Sequence, residues 1–230
     1  MVTCFTASVP EPRGFALRCQ VDKGIAADVD YLALRRAEDV RACSILGADF
    51  EHLGLPEAPH RGYDSPEALF GDFAAGDDVA SALEARLREV VRERPPRAIC
   101  YPVGVGGHVD HRRVADAVER LRGDLPAVRF LRWYDQPYTA RHRRRYPELA
   151  FARRARGLAE IGEDVCALSY DPRARAPDGL FARKVRAAAA YRSQVGYQFY
   201  EAFGASPAGE PDVEDRIARV LGRREWLVAS

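Results

Sequence analysis

The sequence lacks several features that would place it in a familiar class of protein. None of its five cysteines forms a CxxC pair, so we expect buried free thiols in a reducing cytoplasm rather than a disulfide framework. No apolar run is long enough to cross a bilayer, and no signal-peptide pattern is present. The formal net charge is only +1, which gives no electrostatic reason to expect nucleic acid or a membrane as partner. These absences predict a cytoplasmic protein with neither of those partners.

What remains is the composition of an ordinary globular protein, with 47% hydrophobic and 30% charged residues among 230. A chain of this length can bury a sizeable core, and a single domain spanning residues 1–230 is predicted. Apolar runs typical of strands alternate with amphipathic segments typical of helices. This alternation predicts an α/β fold with a mostly parallel sheet and helices on both faces.

The residue pattern also gives bounds for the elements. Asp28 or Asp30 is predicted to cap a helix at 31–46 and Gly47 to end it, while Ser65 precedes a short helix at 66–70. We expect residues 7–25 to form a long loop and the last part of the chain to add helices to the sheet. Strands are predicted at 2–6, 50–55, 98–101 and 128–134, and further helices at 77–93, 114–121, 180–203 and 212–221.

The chain is organised around the glycine-rich turn that ends the segment 101–111, after the apolar strand at 98–101. Open α/β sheets place their ligand sites at this carboxyl end of a strand. The turn carries His108, Asp110 and His111, and its two histidines share a face if the turn is already helical. The turn therefore predicts a binding or catalytic site.

Three interpretations of this turn are open. A nucleotide site would need a third glycine in the GxGxxG spacing, and Val109 occupies that position. A metal site is favoured, because two imidazoles and a carboxylate suit Zn²⁺ with an open position for water. In the third interpretation, Asp110 only caps the next helix and the histidines are merely polar.

Other polar residues carry less weight. His60 lies in a loop that could reach the turn, whereas His52 and His142 are interpreted as core or surface residues. The basic run at 141–145 is typical of a solvated face, with attraction of an acidic substrate as the alternative. Ser193 has no nucleophile-elbow context, so a serine hydrolase is not indicated.

Four segments, taken in order, resemble the PIG-L/LmbE-like family of zinc-dependent N-acetylglucosaminyl deacetylases. Residues 107–111 (GHVDH) are similar to the family's His-x-Asp-His motif, and residues 34–47 to its Arg-x-x-Glu helix ending in Leu-Gly. Residues 133–138 (WYDQPY) resemble an aromatic–acidic–Pro-Tyr segment. Lys184 together with residues 191–194 (YRSQ) resembles the family's late helix.

This resemblance implies a Rossmann-like fold, Zn²⁺ as cofactor, and removal of an acetyl group from a small N-acetylated sugar conjugate by metal-activated water. By matching position, His111 would be a metal ligand. His108 would protonate the leaving amine or stabilise the oxyanion, and Asp110 would orient His108. Arg61 would hold substrate hydroxyls. The oligomeric state is left open, and a homo-oligomer is allowed.

The sequence departs from the family at one motif. It contains no Pro-His-x-Asp-Asp, which in the family follows the first strand and supplies a histidine, an aspartate and the general base. Residues 2–6 resemble the family's second strand, so we expect the first strand to be missing. The acidic pair at 77–78 has no histidine before it and does not replace the motif. Two metal ligands and the base are therefore unassigned.

Three explanations for this departure are open. The preferred one is a start site placed too late, which would shorten an active deacetylase and remove a central strand. In the second, the chain is a degenerate member that acts as a sugar- or protein-binding module without catalysis. In the third, a partner subunit supplies the missing ligands. We expect His108, Asp110 and His111 to cluster beside a gap at the centre of the sheet.

Overall fold

The computed structural model describes residues 1–104, 107–133, 167–170, 179–198, 213–221 and 225–229. The strands are β1 (Val2–Phe5), β2 (Glu51–Leu55), β3 (Ala98–Pro102), β4 (Arg129–Trp133), β5 (Ala167–Tyr170) and β6 (Glu225–Ala229). The helices are α1 (Gly14–Val21), α2 (Tyr31–Leu46), α3 (Pro66–Leu69), α4 (Val79–Glu93), α5 (Val109–Leu121), α6 (Leu180–Ala189), α7 (Arg192–Gln198) and α8 (Val213–Leu221). Short 3-10 turns lie at Ala58–His60 and Arg122–Asp124.

The chain divides into two units, and the first comprises Met1–His60 and Asp171–Arg224. Its strands β1 and β2 form a parallel pair in which Val2 lies opposite Glu51. Helix α2 packs against α6 and α7, and α6 packs against α8. The apolar core of these helices consists of Val185, Val195, Ile217 and Leu221.

The second unit comprises Arg61–Tyr170 and Glu225–Ser230, and its four strands lie in the order β3-β4-β6-β5. Strands β3 and β4 are parallel, whereas β6 is antiparallel to both of its neighbours. Helix α5 packs against β3 and α4. Tyr101 on β3 and Val109 on α5 are almost fully buried. The turn that carries the predicted site therefore lies at the carboxyl end of β3.

Most element predictions are confirmed, and α2 has the predicted bounds. Asp30 is its N-cap and accepts a hydrogen bond from the Ala33 amide at 2.8 Å, while Gly47 ends the helix with a left-handed φ of 69°. Ser65 likewise caps α3 by accepting from the Ala68 amide at 3.1 Å. The mixed α/β class is confirmed with them. Within the described segments, no helix combines the length and apolar character that crossing a membrane requires.

Three expectations are wrong. The predicted loop at 7–25 contains helix α1, whose only buried residues are Ala16 and Gln20, so no apolar stripe marked it in the sequence. The predicted helix at 180–203 is interrupted between α6 and α7. The chain does not end in helical additions alone, because the apolar segment around Leu227 forms β6 inside the sheet. Among the described strand pairs, β1–β2 and β3–β4 are parallel and both pairs of β6 are antiparallel, so parallel strands are confirmed and a mostly parallel sheet stays a prediction.

Several sequence features lie outside the described residues. They are the loop predicted at 137–145 with its basic run and His142, residues 134–138 of the aromatic–acidic segment, Cys166, and the predicted helix beyond residue 198. The other four cysteines are free thiols, of which Cys4 and Cys43 are buried and Cys100 is exposed. The single domain predicted over 1–230 stays a prediction.

Candidate functional site

The turn between β3 and α5 has the backbone shape that only glycine adopts readily. Gly104 and Gly107 have left-handed φ values of 78° and 76°, and the Gly107 amide donates to the Gly104 carbonyl at 2.8 Å. A Cβ added at Gly104 would also lie 3.2 Å from Cγ of Arg112. Both constraints exclude ordinary side chains here. The chain therefore makes a tight turn, which places the histidines at the carboxyl end of β3.

His108 is the N-cap of α5. Its backbone is extended, with φ −64° and ψ 129°, and its Nδ1 accepts a hydrogen bond from the Asp110 amide at 3.2 Å. Helix α5 consequently begins at Val109 rather than at the predicted residue 114. The interpretation in which Asp110 caps this helix is wrong, because Asp110 lies in the first turn. Since the amide donates to Nδ1, the neutral imidazole carries its proton on Nε2.

The two imidazoles of the turn lie close together. The ring centroids of His108 and His111 are 5.6 Å apart, and the planes are tilted by 57°. The His108 ring also meets the ring of Phe70 edge to face, with 5.4 Å between centroids. The two imidazoles are therefore close enough to contact one small ligand, and an aromatic ring packs against one of them.

Arg61 is bound by protein carboxylates. Its Nη2 donates to Oδ1 of Asp110 at 2.8 Å and its Nε donates to Oδ1 of Asp77 at 2.9 Å. Only 5% of the Arg61 side chain is exposed. The structure thus joins Arg61 to the predicted site through Asp110. Its predicted role in holding substrate hydroxyls stays a prediction.

Asp77 is the fully buried partner of this arginine. Besides Arg61, its carboxylate accepts from the Tyr63 hydroxyl at 2.7 Å and from Nε of Arg113 at 3.1 Å. Burial alone would raise the pKa of Asp77, but the hydrogen bonds from Arg61 and Tyr63 outweigh it and lower the pKa to about 2. A carboxylate held in this way stays ionised and paired. It is therefore unsuited to act as the general base that the sequence leaves unassigned.

The loop before α4 is fastened to the start of α5. Phe73 lies under two guanidinium groups, with its ring centroid 4.5 Å from Cζ of Arg112 and 3.7 Å from Cζ of Arg113. Arg112 also donates to the Gly71 carbonyl at 2.7 Å. Phe70 is therefore held beside His108 by contacts on its own loop.

Sequence reasoning missed Asp77, Arg113 and Phe70 as parts of this site. In the sequence, the pair at 77–78 is distinguished only as two adjacent acidic residues with no histidine before them. Charged and aromatic residues are common in a chain with 30% charged residues, so nothing in their spacing distinguishes these three. The signal that could have indicated Asp77 is its position directly before the N-cap of α4, because residues at that position often pack against the first turn of the helix.

Two of the family-like segments contact each other in the first unit. Glu38 of α2 is 1% exposed, and its carboxylate accepts from the Ser193 amide at 2.8 Å and the Ser193 hydroxyl at 2.6 Å. The next residue, Asp39, accepts from the hydroxyl groups of Thr3, at 2.8 Å, and Tyr191, and His52 lies 2.8 Å from it. His52 is thus a half-buried structural residue of the first unit, within the core-or-surface interpretation that the sequence left open.

The described residues do not by themselves form a zinc site. A catalytic zinc normally has three protein ligands. Among the residues that the structure describes, no three His, Cys, Asp or Glu side chains are arranged to hold a metal ion. The carboxylate of Asp110, the nearest acid to His111 in the sequence, is bound by Arg61. His111 is left as the predicted ligand.

The fold is that of a class of solved deacetylases. A teicoplanin deacetylase in complex with teicoplanin superposes with a TM-score of 0.69 at 19% identity, covering 99% of this chain and 85% of that one. The A40926 pseudoaglycone deacetylase Dbv21 gives a TM-score of 0.66 at 21% identity, covering 99% and 82%. The zinc-inhibited form of teicoplanin deacetylase Orf2 gives 0.66 at 18% identity, covering 99% and 85%. Such identities establish a shared mixed α/β fold.

Sequence comparison adds the family. The profile of PIG-L, described as GlcNAc-PI de-N-acetylase, matches residues 4–121, which is just over half of the chain, and the protein belongs to this family. The predicted resemblance is therefore confirmed. One relative is the 2'-N-acetylparomamine deacetylase of Streptomyces fradiae, 38% identical over 90 residues. The match covers 39% of this chain and 32% of the relative, so it spans about a third of that protein's length.

Proposed function

We propose that this protein hydrolyses the acetamide of an N-acetylated amino sugar conjugate, releasing acetate and the free amine. The observation that carries the proposal is the turn of His108, Asp110 and His111 at the end of β3, within the segment matched by the PIG-L profile. The relative that deacetylates 2'-N-acetylparomamine supports an amino sugar as substrate. N-acetylglucosamine is the acetylated sugar that the family description favours.

In this proposal His108 handles the proton on the amine side of the reaction. Water adds to the carbonyl carbon, the C–N bond breaks, and the departing nitrogen takes up a proton. Because Nδ1 of His108 accepts from a backbone amide, Nε2 is the ring nitrogen that can face the reacting amide. In the neutral ring the Nε2–H donates a hydrogen bond to the oxyanion. Protonation of the departing nitrogen requires the imidazolium form, in which Nδ1 no longer accepts and Nε2–H is the acid. The backbone amide of Asp110, two residues on, holds the neutral ring in this orientation.

The proposal keeps the finer predictions that go with the family. His111 is the metal ligand that this chain offers, and Zn²⁺ is the ion it would bind, since imidazole suits zinc and a solved relative has a zinc-inhibited form. Because the described residues do not complete a three-ligand site, no step of the reaction is assigned to the metal. We propose in addition that the sheet is Rossmann-like and lacks the family's first strand. We also propose that the protein is cytoplasmic.

The test is acetate release from purified protein of this length. N-acetylglucosamine conjugates and 2'-N-acetylparomamine are incubated with and without added Zn²⁺, and the free amine is measured by mass spectrometry. We expect product from the wild type and a loss of about 100-fold or more in His108→Ala. Arg86→Gln, an exposed change on α4, is the matched control and should keep full activity.

A second measurement separates the competing function. If the wild type releases no acetate under any metal condition but binds the same conjugates in calorimetry, the sugar-binding interpretation replaces hydrolysis. Zinc bound in a one-to-one ratio and lost in His111→Ala would support the proposed ligand. Coding sequence upstream of Met1 that encodes an in-frame His-x-Asp-Asp would support the prediction of a start site placed too late.

A further inference from the structure

Asp77 is a buried charge that the proposed reaction does not use. Its side chain is 0% exposed, and three different side chains donate to its carboxylate: Arg61, Tyr63 and Arg113. Burial of an ionised carboxylate is unfavourable unless its partners are in place and hydrogen-bonded. The network around Asp77 therefore has a single well-defined arrangement.

Both arginines of this network lead to the predicted site. Arg61 spans two carboxylates, with Nε on Asp77 and Nη2 on Asp110. Arg113 belongs to α5, two residues after His111, and donates through Nε to the Asp77 carboxylate and through Nη2 to the Asp77 carbonyl at 3.2 Å. Asp77 is thus connected to the first turns of α5 by two separate routes.

We propose that Asp77 is a positioning residue of the deacetylation reaction, which fixes the orientation of His108 and His111 through Arg61 and Arg113. It acts without touching substrate. Arg61 holds Asp110 in place, and the amide of Asp110 in turn donates to His108. The inference rests on the proposed function, and it gives Arg61 a second role besides the predicted contact with substrate.

The chemistry of the network explains why an aspartate is needed. An ionised carboxylate acts only as a hydrogen-bond acceptor. It can therefore accept hydrogen bonds from two guanidinium groups and a hydroxyl at the same time. An asparagine of the same shape would turn an NH₂ group toward at least one of these donors. One arginine would then lose its hydrogen bond to the side chain of residue 77, and the part of α5 that this bond holds would loosen.

Hydrogen exchange measures this loosening without substrate. In Asp77→Asn, we expect exchange of the Asp110 amide to accelerate by about tenfold or more, because its hydrogen bond to His108 opens more often. The Arg129 amide, which donates to Arg97 where β3 and β4 pair, is the internal reference and should not change. Asp78→Asn makes the same chemical change at the exposed neighbour and should affect neither amide.

A kinetic measurement separates positioning from general stability. In the deacetylase assay, kcat of Asp77→Asn should fall by about 10- to 100-fold with KM unchanged, since a residue behind the ligand-contacting groups alters orientation rather than binding. If Asp77→Asn does not fold, Arg113→Lys is tested instead. The lysine keeps the positive charge but lacks the paired N–H donors of the guanidinium group. The inference is supported when the Asp110 amide alone accelerates and kcat alone falls.

Three results would overturn it. They are an unchanged Asp110 amide, equal acceleration at Asp110 and Arg129, and full kcat in a variant whose Asp110 amide has accelerated. If the wild type releases no acetate at all, the proposed function fails. In that case hydrogen exchange still decides whether Asp77 positions the turn.

Discussion

Asp110 forms hydrogen bonds with two neighbouring side chains, one through its carboxylate and one through its backbone amide. Its carboxylate accepts from Arg61, and its backbone amide donates to Nδ1 of His108. The amide fixes which nitrogen of the imidazole carries the proton, while the arginine compensates the negative charge of a side chain that is 10% exposed. The predicted role of Asp110 in orienting His108 stays a prediction, and these two contacts show how it could be performed.

Asp77 makes stability depend on pH in the acid range. Its pKa of about 2 in the folded protein lies below the ordinary value of 3.8. The stabilisation is therefore complete above pH 3.8 and is lost as the pH falls toward 2, when the carboxylate facing Arg61, Arg113 and Tyr63 becomes protonated. The shift corresponds to about 2 kcal/mol of unfolding free energy. Urea unfolding measured from about pH 5 down to about pH 2 should show this loss.

The variant Asp77→Asn tests that assignment. It has no charge to lose, so its unfolding free energy should fall less steeply over the same pH range than that of the wild type. Asp78→Asn should follow the wild-type curve. Identical slopes for Asp77→Asn and the wild type would show that another carboxylate causes the loss.

At this scale the sequence shows part of the site. His108, Asp110 and His111 stand out because they are neighbours in the chain and follow a strand. Asp77 and Arg113 are 36 positions apart, and Arg61 and Asp110 are 49 apart. Only the fold brings such pairs together, and many arginines and carboxylates in the chain could have paired instead.

At the scale of elements, helices with caps and an apolar stripe are predictable, whereas interruptions caused by tertiary contacts are not. Helix α2 has both signals, Asp30 at its start and Gly47 at its end. The segment from Leu180 onward is a continuous helical pattern in sequence. The structure interrupts it at Tyr191, whose hydroxyl donates to Asp39. The Glu38 carboxylate then accepts a hydrogen bond from the Ser193 amide at the start of α7.

The link between Glu38 and Ser193 should be a major support of α7. Glu38→Gln keeps the size of the side chain but loses its charge and one acceptor, and we expect a loss of about 1–3 kcal/mol in unfolding free energy. Ser193→Ala removes only the hydroxyl donor and should cost about 1 kcal/mol. Urea unfolding measures both, and Glu93→Gln, an exposed change near the end of α4, is the control.

Equal stability of Glu38→Gln and the wild type would contradict this account. It would mean that the apolar contacts of Val195 hold α7 in place without the carboxylate.

At the scale of the whole molecule, β6 holds a sheet together from the far end of the chain. It lies between β4 and β5 and pairs with both, with Leu227 opposite Trp133 on one side and Leu168 on the other. Deleting residues 225–230 should leave both neighbours with unpaired backbone groups. We expect the shortened protein to aggregate or to lose its cooperative thermal transition. Deleting Ser230 alone is the control and should have little effect, since β6 ends at Ala229.

A cooperative transition at the wild-type temperature in the longer deletion would show that β6 is dispensable. No feature of the sequence identifies the partners of this strand. Its apolar residues indicate burial, but short apolar runs do not reveal whether they pair in a sheet or cover a helix.

The path of the chain between the two units bears on how the protein is made. The chain leaves the first unit after His60, returns to it after Tyr170, and crosses once more after Arg224. A growing polypeptide usually folds its earliest portion first. Here the opening sixty residues must wait for helices synthesised much later, and the second sheet must wait for β6. We therefore expect the nascent chain to expose unfinished apolar surface until these later segments are made, when binding by chaperones would protect it.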